Sequence, residues 1–308
     1  MTCYSLGLAS DKLTHVCLVV GDAILPFWVC DGFLINHSQK KILTVCPYNE
    51  ANFHRHQNCL IMSCAACLQL SRQSQSEHHV QDLLEEVLQH IEEYREAEQR
   101  AVNTLGSLGT GKSSASTEMF LLLYEFESLS KLKDARAETI FDKALMLPNP
   151  TPKFFHTLSV LAIDAPANNR KLSMRALKVA IKLHLQTEQP DFVKCSADVR
   201  NLISMSLMSN DQEAKAYFEE TLDIIEKIAK DKYPEVELLW LMTKSWNWGI
   251  QYYNSDKPVE AEKWCSVSMS FLKYLPVSRE EYQDQMMSIY GEILNCIETE
   301  AKQRAMEE

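Results

Sequence analysis

The sequence predicts an all-α protein, a degenerate tetratricopeptide-like helical-repeat superhelix (a solenoid) with an atypical N-terminal segment. One observation is the small number of glycines, 8 in 308 residues, which is too few for the tight turns of a large sheet protein. Another is that apolar residues recur with helical periodicity over most of the chain. A third is the stretch at residues 238–275, which has the spacing of one helix-turn-helix repeat unit.

In that unit, Trp248, Gly249, Tyr252 and Ala261 occupy the structural positions of the repeat. The glycine allows the second helix to approach closely, the tyrosine fills the space between the helices, and the alanine is small where the backbones touch. Pro258 opens the second helix, where its missing N–H group costs no hydrogen bond. Because one such unit cannot bury its apolar face alone, similar units are expected beside it.

Residues 1–45 differ from the rest of the chain, and their fold is left open between short strands, irregular packing and helix. An apolar run at residues 13–35 is interrupted by Asp22, Pro26 and Asp31. It therefore contains no stretch of the ~18 uninterrupted apolar residues that a membrane span needs. Neither a transmembrane segment nor a cleaved signal peptide is predicted, since no basic stretch precedes the run.

One helical-repeat domain is predicted for residues 46–308, with a flexible Gly/Ser/Thr-rich loop at residues 106–117. Alanines mark the second helix of successive pairs, but they are spaced more widely than the ~34-residue period of a regular array, so the repeats are degenerate. Prolines and asparagines separate the helices. The predicted helices span residues 57–70, 80–104, 118–131, 135–147, 152–164, 169–187, 192–208, 211–230, 235–254, 258–274 and 279–305.

A formal match to the phosphate-binding P-loop runs from Gly106 through Gly111 and Lys112 to Ser113. Such a loop binds phosphates only when it connects a buried strand to a helix, and the residues at 92–100 instead form a charged helical stretch. A flexible connection between helices, with no cofactor, is the favoured interpretation. A nucleotide-dependent enzyme that uses Gly106 to Ser113 is the alternative function.

A zinc site is the second alternative that the residue types suggest, because two of the cysteines have C-x-x-C spacing and two histidines lie nearby. Apolar residues surround these cysteines as they would in a core helix, and buried cysteines are common. We therefore expect reduced core thiols and no bound metal. The six residues are Cys46, His54, His56, Cys59, Cys64 and Cys67.

The sequence contains no pattern typical of a catalytic centre, so a non-enzymatic protein is expected. Its net charge of −11 argues against a nucleic-acid-binding surface. Trp246, Ile250 and Tyr253 lie at i, i+4 and i+7 on the helix face that lines the concave groove in this repeat class. They are candidate anchors for a partner helix or peptide, and packing against a neighbouring repeat is the other interpretation.

Three stretches resemble a known family: STEMFLLLYEFESL at 116–129, SVLAIDAPANNRKLSMRALKVAIKL at 159–183 and ELLWLMTKSWNWGIQYY from residue 237. They are similar to the testis-expressed, sporulation-associated family of meiotic crossover-promoting proteins. The similarity covers roughly residues 50–305, corresponds to the C-terminal part of those longer proteins, and excludes residues 1–45.

The resemblance implies a nuclear, tetratricopeptide-like scaffold on meiotic chromosomes, without catalytic residues. Its expected partners are other meiotic recombination and synaptonemal-complex proteins, through which it would act in crossover formation and chromosome synapsis. Direct binding to nucleic acid or to a membrane is not expected.

Overall fold

The computed structural model describes residues 50–105, 115–209, 211–229, 232–275 and 279–307, and these residues form α-helices, one π-helical turn and short connections, without a strand. The predicted all-α class is confirmed for this part of the chain. The helices are α1 (Glu50–Gln73), α2 (Glu77–Leu105), α3 (Ala115–Lys131), α4 (Arg136–Leu145), α5 (Pro152–Ile163), α6 (Arg170–Gln186), α7 (Phe192–Leu207), α8 (Asp211–Ile224), α9 (Glu235–Tyr253), α10 (Pro258–Leu272) and α11 (Arg279–Glu307).

These helices match the eleven predicted ones in order, and several of their ends differ from the predicted ends. Helix α1 begins at Glu50 instead of residue 57, because Phe53, one turn before Gln57, continues its buried face. Helix α3 begins at Ala115, so the last residues of the predicted loop at 106–117 are helical. Residues 1–45, and the P-loop-like stretch from Gly106 to Ser113, lie outside the described residues.

Several helices begin where the side chain of the preceding residue caps the backbone. Thr151 Oγ1 accepts a hydrogen bond from Phe154 N at 3.2 Å, and Pro152 follows in the first turn of α5. Asn169 and Asp191 cap α6 and α7 in the same way. Because the first four N–H groups of a helix lack partners within it, these caps define where the helices start.

Contacts divide the chain into two compact units, unit 1 (Met1–Leu147) and unit 2 (Pro148–Glu308). In unit 1, three residues connect α1 to α2, and the two helices form an antiparallel hairpin on which α3 packs. The helix faces that meet in this unit are lined with buried residues at helical spacing, among them Leu60, Leu68, Leu84 and Ile91. Burying one such aliphatic side chain stabilises the folded protein by roughly 1.5–3 kcal/mol.

Unit 2 contains α5–α11, in which α5 packs on α6, α9 packs on α10, and α10 packs on α11. Its largest core cluster extends from α6 to α11 and includes the fully buried rings of Phe218, Trp264 and Phe271. A π-helical turn, Ile225–Ala229, directly follows α8. No helix among the described residues has an apolar stretch long enough to cross a membrane.

Candidate functional site

The hairpin of α9 and α10 holds the residues that the repeat pattern singled out. Gly249 is buried and faces α10 so closely that an added Cβ atom would lie 2.3 Å from Cys265 Sγ and 3.2 Å from the carbonyl oxygen of Ala261. Ala261 is itself fully buried. A side chain at position 249 would therefore force Cys265 or the helix backbones to shift.

Two other repeat positions contribute aromatic packing in the same hairpin. The ring of Trp248 stacks on that of Trp264, with centroids 6.0 Å apart, and also contacts Tyr252, with centroids 6.4 Å apart. Trp248 and Tyr252 are half-buried, and Trp264 is fully buried. Aromatic pairs of this kind add about 0.5–1.5 kcal/mol each beyond the area they bury. The Trp248–Trp264 pair therefore helps to hold α9 on α10, and the Trp248–Tyr252 pair lies within α9.

The predicted partner face, Trp246, Ile250 and Tyr253, is only half-exposed. Trp246 and Tyr253 pack against the buried cluster of Ala261, Cys265 and Ile293, which includes a residue of α11. Part of each aromatic ring is therefore occupied within the chain. The rest of each ring is exposed, and a binding role for this face stays a prediction.

A groove between α6, α7 and α8, the α6–α8 groove, has a largely apolar lining. It encloses about 390 Å³. Five aliphatic side chains from the three helices form its floor, and longer polar side chains form its rim. The aliphatic residues are Ile181, Leu185, Val199, Leu202 and Ile224, and the polar ones are Lys178, Lys182, Gln186, Tyr217, Glu220 and Thr221.

Most polar atoms at one side of the rim are already paired with each other. Lys178 Nζ lies 3.4 Å from Glu213 Oε1 and 4.8 Å from the centroid of the Tyr217 ring. The Tyr217 hydroxyl donates a hydrogen bond to Glu213, and this bond lowers the pKa of the Glu213 carboxyl. Burial raises the pKa of Tyr217. On this side of the groove, Lys178, Glu213 and Tyr217 contact one another, and the aliphatic floor beside them is the surface suited to apolar binding.

A buried polar cluster connects α5, α6 and α7 in the same unit. Asp198 is 2% exposed and its Oδ1 atom lies 2.5 Å from His156 Nδ1, while its Oδ2 atom lies 3.7 Å from His184 Nε2. Burial raises the pKa of Asp198 and lowers the pKa of His184. Only His156 is substantially exposed. The cluster joins three helices through charged groups in the core.

Of the six residues that suggested a zinc site, the five that the structure describes do not come together as a group. His54, His56, Cys59, Cys64 and Cys67 all lie on α1, and Cys46 is outside the described residues. His54 is exposed, whereas Cys64 is fully buried with its thiol 3.7 Å from the carbonyl oxygen of Val87. Burial raises the pKa of the Cys64 thiol, as expected for a core cysteine.

Sequence reasoning missed both the α6–α8 groove and the Asp198 cluster. The groove is formed by residues of three helices, each of which has an ordinary amphipathic pattern. Asp198 lies 42 residues from His156, and no local motif connects them. The only available indication was an aspartate among the apolar residues of α7, at a position that helical periodicity places on the buried face.

No protein-family model matches this chain, and no solved structure is significantly similar to it. The family resemblance of the three quoted stretches therefore rests on the sequence alone.

Proposed function

We propose that this chain is a non-enzymatic protein-interaction scaffold whose α6–α8 groove binds the apolar face of a partner's amphipathic helix. The observation that carries the proposal is the aliphatic floor of that groove, where Leu185 and Ile224 are partly exposed and polar side chains form the rim. Its volume of about 390 Å³ falls within the roughly 300–1,000 Å³ range of ligand sites. Helices recognised in this way insert side chains at i, i+3, i+4 and i+7 into such grooves.

The charges at the rim define the partner further. Lys182 is exposed on the α6 side of the groove, and Glu220 is exposed on the α8 side. A partner helix with an acidic residue on one flank of its apolar face and a basic residue on the other would complement both. Exposed charges of this kind add specificity more than affinity.

A tetratricopeptide-like repeat, the finer form of the fold prediction, is part of the proposal. Its support is the α9–α10 hairpin, in which Gly249 meets Ala261 and Cys265 and the ring of Trp248 stacks on Trp264. Repeats of this class use grooves between helices to bind peptides, so the proposed architecture and the proposed function agree.

We place the scaffold in the nucleus, on meiotic chromosomes, where it would join recombination proteins to the synaptonemal complex and act in crossover formation and synapsis. The support is the sequence resemblance at 116–129, 159–183 and from 237. The net charge of −11 favours protein partners over direct contact with DNA.

A capture experiment from meiotic tissue tests the proposal. The full chain and its Leu185→Asp variant would be compared, with synaptonemal-complex and recombination proteins quantified by mass spectrometry. We expect at least a ~10-fold loss of those proteins, because the new carboxylate would be buried without a partner on binding. Val193→Asp is the matched control, since Val193 is 70% exposed on α7 and does not line the groove.

Two further variants separate the possible surfaces. Lys182→Glu reverses an exposed charge at the rim and preserves the core, so it weakens binding even if Leu185→Asp unfolds. The double variant Trp246→Ala and Tyr253→Ala tests the face predicted from sequence. Unchanged capture by all folded variants would refute the proposal, and magnesium-ATP binding that Lys112→Ala abolishes would favour the P-loop alternative.

A further inference from the structure

Three potential metal ligands meet in the hairpin of α1 and α2, in unit 1. Cys67 on α1 and Glu86 and His90 on α2 each offer one ligand atom, and these atoms all lie within 4.8 Å of one another. Glu86 and His90 are four residues apart on one helix, which places both side chains on the same face. Cys67 faces them from the other helix, so the set joins two helices.

One distance within the set is close to that between two ligands of a bound metal. His90 Nε2 lies 3.5 Å from Glu86 Oε1. In a tetrahedral zinc site with bonds of roughly 2.0–2.1 Å, two such ligand atoms are about 3.3–3.4 Å apart. The Cys67 Sγ atom lies within 4.8 Å of the ligand atoms of Glu86 and His90. Binding one ion requires side-chain rotations that bring the three atoms to bonding distance of it.

A second carboxylate lies on the other side of the imidazole. Glu93 Oε2 is 3.8 Å from His90 Nδ1. Histidine ligands of metals are commonly oriented by a carboxylate facing the ring nitrogen that does not bind the metal. In the tautomer that carries its proton on Nδ1, the lone pair of Nε2 lies on the side of Glu86, and a small movement of Glu93 would bring it within hydrogen-bond distance of that proton.

Charge and burial also favour a divalent ion at this position. Cys67 and His90 are almost fully buried among aliphatic side chains of the hairpin core, and Glu86 is a third exposed. A thiolate and a carboxylate together carry two negative charges, which a divalent ion neutralises at a place where uncompensated charge is costly. Mixed sulfur, nitrogen and oxygen ligands suit zinc, whereas calcium and magnesium prefer oxygen alone.

We propose that Cys67, Glu86 and His90 bind one zinc ion that joins α1 to α2. Three protein ligands leave the fourth tetrahedral position for a water molecule, on the exposed side of Glu86. Binding releases the thiol proton of Cys67 to the solvent, while Glu86 binds as a carboxylate and His90 as a neutral imidazole. The ion is neither oxidised nor reduced.

Cobalt substitution in the full chain, under reducing conditions, tests the site directly. We expect one equivalent of Co²⁺ to produce a sulfur-to-metal charge-transfer band that Cys67→Ser removes. Cys64→Ser is the matched control, because Cys64 is a buried thiol one turn away on α1 that does not belong to the three-ligand set. The proposal is wrong if no band forms, or if Cys67→Ser retains the band of the wild type.

Zinc titration by calorimetry and thermal unfolding provides a test with more conservative variants. Glu93→Gln leaves the three ligands in place and should weaken zinc binding by about 10- to 100-fold, the usual effect of removing an orienting partner. Glu86→Gln should abolish the rise in melting temperature that zinc produces in the wild type. Equal zinc affinity of the wild type and a folded Glu86→Gln variant would overturn the proposal.

Discussion

Gly249 and Cys265 lie so close together that a Cβ atom at position 249 would stand 2.3 Å from Cys265 Sγ. We predict that Gly249→Ala destabilises the protein by up to about 2 kcal/mol, because overpacking of about 1–3 kcal/mol is partly offset by the ~1 kcal/mol gain in helix propensity. Chemical denaturation measures the change. In a Cys265→Ala background the cost should shrink, because the clashing sulfur is gone.

Gly291 provides the matched control for this prediction. It lies in α11, and a Cβ atom added there would have no atom within 4 Å. Gly291→Ala should therefore stabilise the protein by roughly 0.5–1 kcal/mol through helix propensity alone. If both glycine variants changed stability in the same direction, close helix packing would not explain the role of Gly249.

Phe218 tests the packing of α8 on α9 and α10. Its ring lies 5.6 Å from that of Trp264, 6.3 Å from that of Phe271 and 6.4 Å from that of Trp240, measured between centroids. We predict that Phe218→Ala destabilises the protein by about 3–5 kcal/mol, since it leaves a cavity among large rings. Phe120→Ala, at a side chain 52% exposed, should change stability by less than ~0.5 kcal/mol in the same denaturation assay.

The helices were predictable because their signals are local. Pro152 and Pro258 stand in the first turns of α5 and α10, where proline is tolerated, and the sequence alone placed both helix starts correctly. The tight approach at Gly249 also followed from residue type, since few positions inside a helix require glycine. The start of α1 was missed because its first turns contain charged and polar residues beside the buried Phe53.

The candidate sites depend on contacts between helices and were not predictable in this way. Cys67 was considered as a ligand, but with histidines of its own helix, which point elsewhere along α1. His90 and Glu86 lie on α2 within a regular amphipathic pattern that explains them equally well as solvated or core residues. Which of these residues meet is determined by the rotation of one helix against the other, and that information is not contained in either segment alone.

Glu127 is the centre of a buried charge network in unit 1. Its carboxylate is 4% exposed and accepts hydrogen bonds from Arg72 at 2.7 and 3.0 Å and from Lys131 at 2.7 Å. We predict that Glu127→Ala costs about 3 kcal/mol, because it leaves the mostly buried Lys131 ammonium without its carboxylate. Denaturant unfolding followed by circular dichroism measures this loss.

Arg72→Ala is the informative comparison for that prediction. Arg72 is 49% exposed, and Glu127 retains Lys131 when Arg72 is removed. Its loss should therefore cost only about 1 kcal/mol, close to the value of a partly exposed ion pair. Equal losses for the two variants would show that Lys131 does not depend on Glu127.

The burial of His184 makes the stability of the protein depend on pH. Burial lowers the pKa of His184, although Asp198 and Asp191 oppose the shift and Lys194 and His156 reinforce it. Near the ordinary histidine pKa of about 6.5, the unfolded chain therefore binds more protons at this residue than the folded chain does. The free energy of unfolding should therefore increase as the pH rises through this range, and it should decrease as the pH falls through it.

Thermal unfolding between pH 5 and 8 measures this contribution in the wild type and in His184→Gln. We expect the melting temperature of the wild type to rise more steeply with pH, because glutamine does not titrate. Asp198 is present in both proteins, so its own contribution to the pH dependence is largely subtracted when the two profiles are compared. His79→Gln, at an exposed position on α2, should retain the slope of the wild type. Parallel pH profiles for the wild type and His184→Gln would contradict the assigned effect of burial and place the pH dependence elsewhere in the chain.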